Sequence, residues 1–131
     1  MGKPITTKSQ GVCSAFPDVC RTPTPGGPVP IPYPNIGQLS GVQNPSSNVK
    51  AGGNFVVIKT STISSSSGDE AGSAGGVKSP TVAGSVSFKT ASNTVKANGQ
   101  GVVRMFDQTE QNGNNAIGVV LGGFPTVMAG D

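Results

Sequence analysis

The 131-residue sequence has no histidine, no tryptophan, one tyrosine (Tyr33) and only two leucines, Leu39 and Leu121. Without histidine, the commonest general base and the commonest zinc ligand are both missing, which narrows catalysis sharply. Charge is scarce too: 11% of residues are charged, against roughly 25% in an ordinary soluble domain. The surface must therefore be built largely of Ser, Thr, Asn and Gly. The net charge of +3 comes from nine scattered basic residues, and with so few aromatics to stack on bases no nucleic-acid partner is expected. No apolar run approaches the roughly 18 residues of a membrane-spanning helix, and the opening MGKPITTKSQ lacks the apolar centre of a secretory signal. One domain with no integral membrane segment is expected, kept in the cytoplasm until something carries it elsewhere.

What is abundant is valine, with 20 glycines and 11 prolines. Few charges and many β-branched residues argue for short strands between turns rather than disorder, so the fold class is all-β. The stretch Phe16 to Gly37 holds Pro17, Pro23, Pro25, Pro28, Pro30, Pro32 and Pro34. Each removes a backbone donor and pushes its predecessor out of the helical region, so helix is excluded. Prolines alternate with Val29, Ile31 and Tyr33. This suits a semi-rigid linker, a polyproline ligand for an aromatic groove, or an ordered arm lying across a β-structure. The arm is preferred, because too few apolar residues precede it to form a second core.

Further along the chain repeats itself. Ser47-Asn48-Val49-Lys50-Ala51-Gly52-Gly53-Asn54-Phe55-Val56-Val57 is echoed by Ser92-Asn93-Thr94-Val95-Lys96-Ala97-Asn98-Gly99-Gln100-Gly101-Val102-Val103. Gly52-Gly53 and Asn98-Gly99 suit tight hairpin turns, and one small hairpin cannot bury its apolar side alone, so the two should pack around a shared axis. No third copy is evident. Residues 64–76, rich in Ser and Gly, read as a linker, except that Asp69 and Glu70 could open one helical turn. Residues 116–129 read as a last hairpin turning at Gly122-Gly123-Phe124-Pro125.

Few residues offer chemistry. Asp69 and Glu70 are adjacent, so their side chains diverge on a strand and do not stack on a helix; a two-carboxylate hydrolase is a distant reading. Asp107, Glu110, Asn112 and Asn115 do not follow a calcium-loop spacing and are expected in solvated loop. Cys13 and Cys20 lack an activating histidine and are expected as reduced, buried or ordinary thiols.

Three blocks of this sequence resemble the PAAR-like domain family, whose members sit on the spike tip of bacterial type VI secretion and related contractile injection machines. The first runs from Phe16-Pro17-Asp18-Val19-Cys20 through Pro28, Pro30, Pro32, Tyr33 and Pro34. The second is Gly68-Asp69-Glu70-Ala71-Gly72 with Gly75-Gly76. The third is residues 95–104, followed by Asp107, Thr109, Asn112 and Asn115. The resemblance implies a small cone of short β-hairpins with approximate threefold pseudo-symmetry, braced by the proline-rich arm.

It implies further that one chain caps a trimeric VgrG-type spike protein, sharpens it for envelope puncture, associates with effector or adaptor proteins, and has no enzymatic activity. The chain would wait in the bacterial cytoplasm and leave on contraction. Spike contact is expected from Phe55, Val56, Val57, Ile58, Val102, Val103, Met105 and Phe106. PAAR proteins hold zinc near the apex through His and Cys. Here Gln111 stands where relatives often place histidine, so the zinc does not transfer and Cys13 and Cys20 are the remaining candidate ligands. The Pro-Ala-Ala-Arg motif is absent, Val102-Val103-Arg104 being its nearest echo, and 131 residues leave no room for a fused toxin domain. The alternative is a stand-alone adaptor module presenting its proline-rich segment to a partner.

Overall fold

The short valine-rich segments fold, in a computed structural model that describes residues 2–9 and 11–130, as thirteen strands and one 3-10 turn (Leu39–Gly41). The all-β expectation holds. Strands β1 (Lys3–Ile5), β2 (Val12–Thr22) and β3 (Val29–Gln38) precede the turn; β4 (Val42–Gln43), β5 (Lys50–Ala51), β6 (Asn54–Phe55) and β7 (Thr62–Ile63) follow it. The rest are β8 (Val86–Phe88), β9 (Lys96–Ala97), β10 (Gln100–Gly101), β11 (Gln108–Gln111), β12 (Ala116–Leu121) and β13 (Phe124–Ala129). Seven strands form an antiparallel sheet in the order β3-β2-β12-β11-β8-β7-β4, and the others pair as β5-β6, β9-β10 and β1-β13.

The proline stretch is not one extended arm. Its two halves pair as the β2-β3 hairpin, with β3 on the sheet edge. In an antiparallel strand alternate residues point their N–H groups to opposite sides. Ile36 donates away from β2, to Ser67 O at 2.8 Å. Pro30, Pro32 and Pro34 share its parity, so the donors they lack face the open edge and pairing with β2 is spared. A bare edge without donors is also a poor template for a foreign strand.

Hairpins β5-β6 and β9-β10 turn at Gly52-Gly53 (φ 61° and 84°) and Asn98-Gly99 (φ 52° and 79°), the paired positive φ values of the expected tight turns. The third copy exists but is split between the chain ends. Lys50 pairs with Phe55 and Ala51 with Asn54; Lys96 pairs with Gly101 and Ala97 with Gln100; Met128 pairs with Pro4 and Ala129 with Lys3. The three alanines, Ala51, Ala97 and Ala129, are all buried.

Each hairpin feeds a five-residue segment, and segments 4–8, 55–59 and 101–105 close into a ring. At the centre Val57 N–H donates to Thr6 O, Thr6 N–H to Val103 O and Val103 N–H to Val57 O, each at 2.9 Å. Around it Lys8 donates to Phe55 O (2.8 Å), Lys59 to Gly101 O (3.0 Å) and Met105 to Pro4 O (2.8 Å). Within each set every segment gives to one neighbour and accepts from the other, the outer set running in the opposite sense to the central one, which is threefold pseudo-symmetry in the backbone.

Two apolar clusters flank this ring. Ile5, Ala51, Val56, Ile58, Ala97, Val102 and Ala129 fill the hairpin end. Leu39, Val42, Val57, Ile63, Val86, Phe88, Val103, Val120 and Cys13 fill the space under the large sheet. Each fully buried Val, Leu or Phe contributes roughly 1.5–3 kcal/mol of transfer free energy.

Two sequence expectations are corrected. Residues 116–129 do not form a hairpin: β12 pairs with β11 and β2, while β13 crosses to β1. Gly122 is bound instead by Thr6, whose Oγ1 donates to its carbonyl at 2.8 Å, and Gly123 lies against Pro4. Asp69 and Glu70 open no helical turn; Gly72 N–H donates to Asp69 O at 2.9 Å, closing a β-turn.

Candidate functional site

Inward-facing residues of β2 change parity along its length. Cys13 and Ala15 are buried, Phe16 and Pro17 are exposed, and Asp18 and Cys20 are buried again. The pairing with β3 shifts between Ala15 and Asp18. That bulge adds the residue needed to turn Asp18 and Cys20 inward. They meet Asp69 from the β-turn, and one donor atom from each of the three lies within 4.8 Å of the others. Gly72 carries no side chain because a Cβ there would collide with Cys20 Cβ and crowd Tyr33. Tyr33 is in turn held by its hydroxyl, 2.6 Å from Thr22 Oγ1.

Amides surround the cluster and donate into it. Asn115 Nδ2 and Asn112 Nδ2 (3.3 Å) both donate to Asp18 Oδ1, and the Cys20 thiol lies 3.5 Å from the same oxygen. Ala83 N–H donates to Asp69 Oδ1 at 3.0 Å, and Asn35 Nδ2 reaches Asp69 Oδ2 at 3.4 Å. Asp18 Oδ2 is buried with no hydrogen-bond partner. Burial first, and then the Asp18 carboxyl beside it, push Asp69 up to about 6. Burial, followed by the charges of Asp18 and Asp69, pushes the Cys20 thiol up to about 12; burial pushes Cys13 there as well.

Both cysteines are free, as expected. They are not equivalent: Cys13 lies in the apolar core, whereas Cys20 joins the acidic cluster. Of the adjacent acidic pair, Asp69 is buried and Glu70 exposed, its Oε1 accepting from Gly68 N at 2.8 Å. The loop expected around residues 107–115 is structural instead. Asp107 forms a buried bidentate pair with Arg104, accepting from Nε at 3.0 Å and Nη2 at 2.8 Å. Asn112 is fully buried.

Gln111 does not replace histidine as a ligand. Its amide nitrogen donates to Asn35 O (2.9 Å), Asn35 Oδ1 (3.0 Å) and Cys13 O (3.2 Å), while Oε1 accepts from Thr109 at 2.8 Å. A histidine-type zinc site does not fit these residues.

The expected spike-contact patch divides. Val56, Val57, Ile58, Val102 and Val103 are buried in the two clusters, because the ring turns their side chains inward. Phe55 and Met105 are half-buried and Phe106 is 56% exposed. Phe106 also has φ 73°, a backbone conformation costly for a bulky side chain. The resemblance implied threefold pseudo-symmetry, but sequence reading missed the third copy of the repeat because it is interrupted by the chain ends. The signal was present: Val49-Lys50-Ala51 and Val95-Lys96-Ala97 recur as Val127-Met128-Ala129.

The family model described as the toxin PAAR-like domain matches residues 11–118. Among curated proteins, the DNase toxin Tse7 of Pseudomonas aeruginosa (strain PAO1) is 37% identical over 106 residues, which cover 76% of this chain and 28% of that toxin. The chain therefore corresponds to a minor part of that relative's length. No solved structure matches the chain at a significant level.

Proposed function

The chain belongs to the toxin PAAR-like domain family, and we propose that it is a non-catalytic spike-tip module of a contractile injection machine of the type VI secretion class. In this reading one copy caps a trimeric VgrG-type spike and carries an effector with it. The observation that supports this most is the backbone ring of segments 4–8, 55–59 and 101–105. A single chain built with threefold pseudo-symmetry can meet three identical spike chains with three similar surfaces and cover their exposed strand ends. Phe55, Met105 and Phe106 supply the contact, and the strain at Phe106 is the cost of holding an aromatic outward.

Native mass spectrometry of this chain co-expressed with the trimeric spike protein encoded nearest to it tests the reading. One copy per trimer supports capping. Phe106→Asn should abolish the complex without unfolding the chain, since Asn tolerates positive φ. A folded chain that forms no complex overturns the assignment.

A second reading, that the chain itself cleaves DNA, draws on the name of the relative. Its carboxylates argue against it. Asp18 and Asp69 are buried among side chains, where a DNA phosphate has no access. Incubation of the purified chain with plasmid DNA and magnesium decides the matter: nicking that is lost in the double variant Asp18→Asn, Asp69→Asn would restore this reading, and no nicking by the wild type rejects it.

No helix among the described residues is long and apolar enough to cross a membrane.

A further inference from the structure

The three arms of the ring are alike in backbone but not in side chains. Segments 4–8, 55–59 and 101–105 meet through the antiparallel bridges of Thr7 with Val56, Ile58 with Val102 and Ile5 with Arg104. One position further along, Lys8 lies opposite Phe55, Lys59 opposite Gly101 and Met105 opposite Pro4, each donating its N–H to that partner's carbonyl. On their other edge Phe55, Gly101 and Pro4 pair with Lys50, Lys96 and Met128. Residues directly opposite share a face, so each arm carries a row of three residues across its strands. The first row is Lys8, Phe55 and Lys50, the second Lys59, Gly101 and Lys96, and the third Met105, Pro4 and Met128.

Two rows are therefore basic and one is neutral. All four lysines are exposed, and among the described residues no carboxylate forms an ion pair with them; the pair present joins Arg104 to Asp107. Asp18, Asp69 and Asp107 are buried, and Glu70 accepts from Gly68 N–H. In the first row Lys50 Nζ lies 4.7 Å from the centre of the Phe55 ring, held over its face. In the second Gly101 has no side chain, and the space between Lys59 and Lys96 belongs to a cleft of about 490 Å³. Lys89 adds a third cation there, and Thr90, Ser92 and Asn93 add neutral polar groups. Neither an acidic nor an aromatic residue lines the cleft, so it suits a carboxylate and gives a nucleotide base nothing to stack on.

We infer that the two lysine rows are receptors for carboxylate side chains of the trimeric spike, each row engaging one spike chain while the third chain meets the methionine row. This assignment rests on the capping reading and supplies the chemistry of its contact. Rows related by the pseudo-threefold of the ring reach three identical chains in equivalent positions. Phe55 and Met105, the apolar contact residues, lie within these rows, so cations and apolar groups share one surface. Exposed lysines act chiefly by steering: they speed the approach of an acidic tip, turn away a basic one, and lose their effect as salt screens them.

The test is the association rate of the full chain with the immobilised spike trimer encoded nearest to it, followed from about 0.05 to about 0.5 M sodium chloride. The wild-type rate should fall at least about tenfold across that range. At low salt the double variant Lys59→Glu, Lys96→Glu should lower it at least about tenfold, and Lys59→Gln, Lys96→Gln by about threefold. Melting temperatures should not change, because both side chains are exposed. Lys78 is exposed beside the acidic cluster, its N–H donating to Asn115 Oδ1. Lys78→Glu should leave the rate within about twofold of the wild type. Met128→Lys gives the neutral row a cation and should raise the rate. Capping at an unchanged rate in the double reversal overturns the lysine rows while the spike-tip reading stands, and so does a Met128→Lys rate at or below that of the wild type. A folded wild type that forms no complex at any salt overturns both.

Discussion

Met105 N–H donates to the carbonyl of Pro4 at 2.8 Å, across 101 positions of sequence, and this bond closes the outer ring between the last and first of its three segments. It makes the chain ends the third member of a repeat whose other two members are continuous hairpins.

A circular permutant tests that equivalence. Gly130 joined directly to Gly2 recreates Ala-Gly-Gly-Lys between β13 and β1, in imitation of Ala51-Gly52-Gly53-Asn54, and new ends can be opened between Gly52 and Gly53. The permutant should fold cooperatively with a melting temperature within about 5 °C of the parent, a shift of roughly 1 kcal/mol. Loss of the cooperative transition would show that the split hairpin is not interchangeable with the others.

Gly99 isolates the backbone contribution of a turn. It has φ 79° and open space where a Cβ would sit. Gly99→Ala should therefore cost about 1 kcal/mol in chemical denaturation through the left-handed backbone alone. The same change at Gly52 should cost more, because its Cβ would strike the Phe124 ring.

The Arg104–Asp107 pair is a buried lock at the ring. Asp107 also accepts from Arg104 N–H at 2.7 Å and from Thr90 Oγ1 at 3.0 Å. Asp107→Ala removes the carboxylate that the buried Arg104 guanidinium, Arg104 N–H and Thr90 Oγ1 share, while the guanidinium keeps its bond to Gly130 O, so a loss of about 3 kcal/mol is expected by denaturant titration. Burial alone would raise the Asp107 pKa, but the hydrogen bonds from Arg104 outweigh it and hold the group below its ordinary value. Its contribution is thus present at neutral pH and is lost as pH falls through that lowered value.

Asp69 has the opposite sign. Its folded pKa of about 6 exceeds the ordinary 3.8, so the folded state holds the proton more tightly. The resulting stabilisation is complete below the ordinary value and is lost as pH rises through about 6. Asp69→Asn should flatten that part of the stability profile between pH 4 and pH 6. An unchanged slope would locate the proton elsewhere.

Much was legible from residue order. Valine and proline content pointed to strands over helix, Gly52-Gly53 and Asn98-Gly99 announced hairpins, and both cysteines were expected as reduced thiols, buried or ordinary. These are local properties: φ preference, missing donors and turn chemistry act within a few residues. The pairing of β13 with β1 was not legible, because Gly122-Gly123 looks like a hairpin turn and nothing nearby reveals that β12 is already paired on both edges. Nor was the placement of Phe106 outside and Val103 inside, since both sit in one β-forming run and only the ring decides which face is buried.

Tertiary structure alone decided the acidic cluster. Asp18 and Cys20 read as part of a proline motif, and Asp69 as the cap of a turn; a bulge at Phe16-Pro17 turned the first two inward and a β-turn delivered the third. The sequence by itself determined an all-β chain with two visible hairpin repeats and no histidine to do chemistry. Closure of the threefold ring and the meeting of three acidic donors depend on contacts between distant segments, which no local preference encodes.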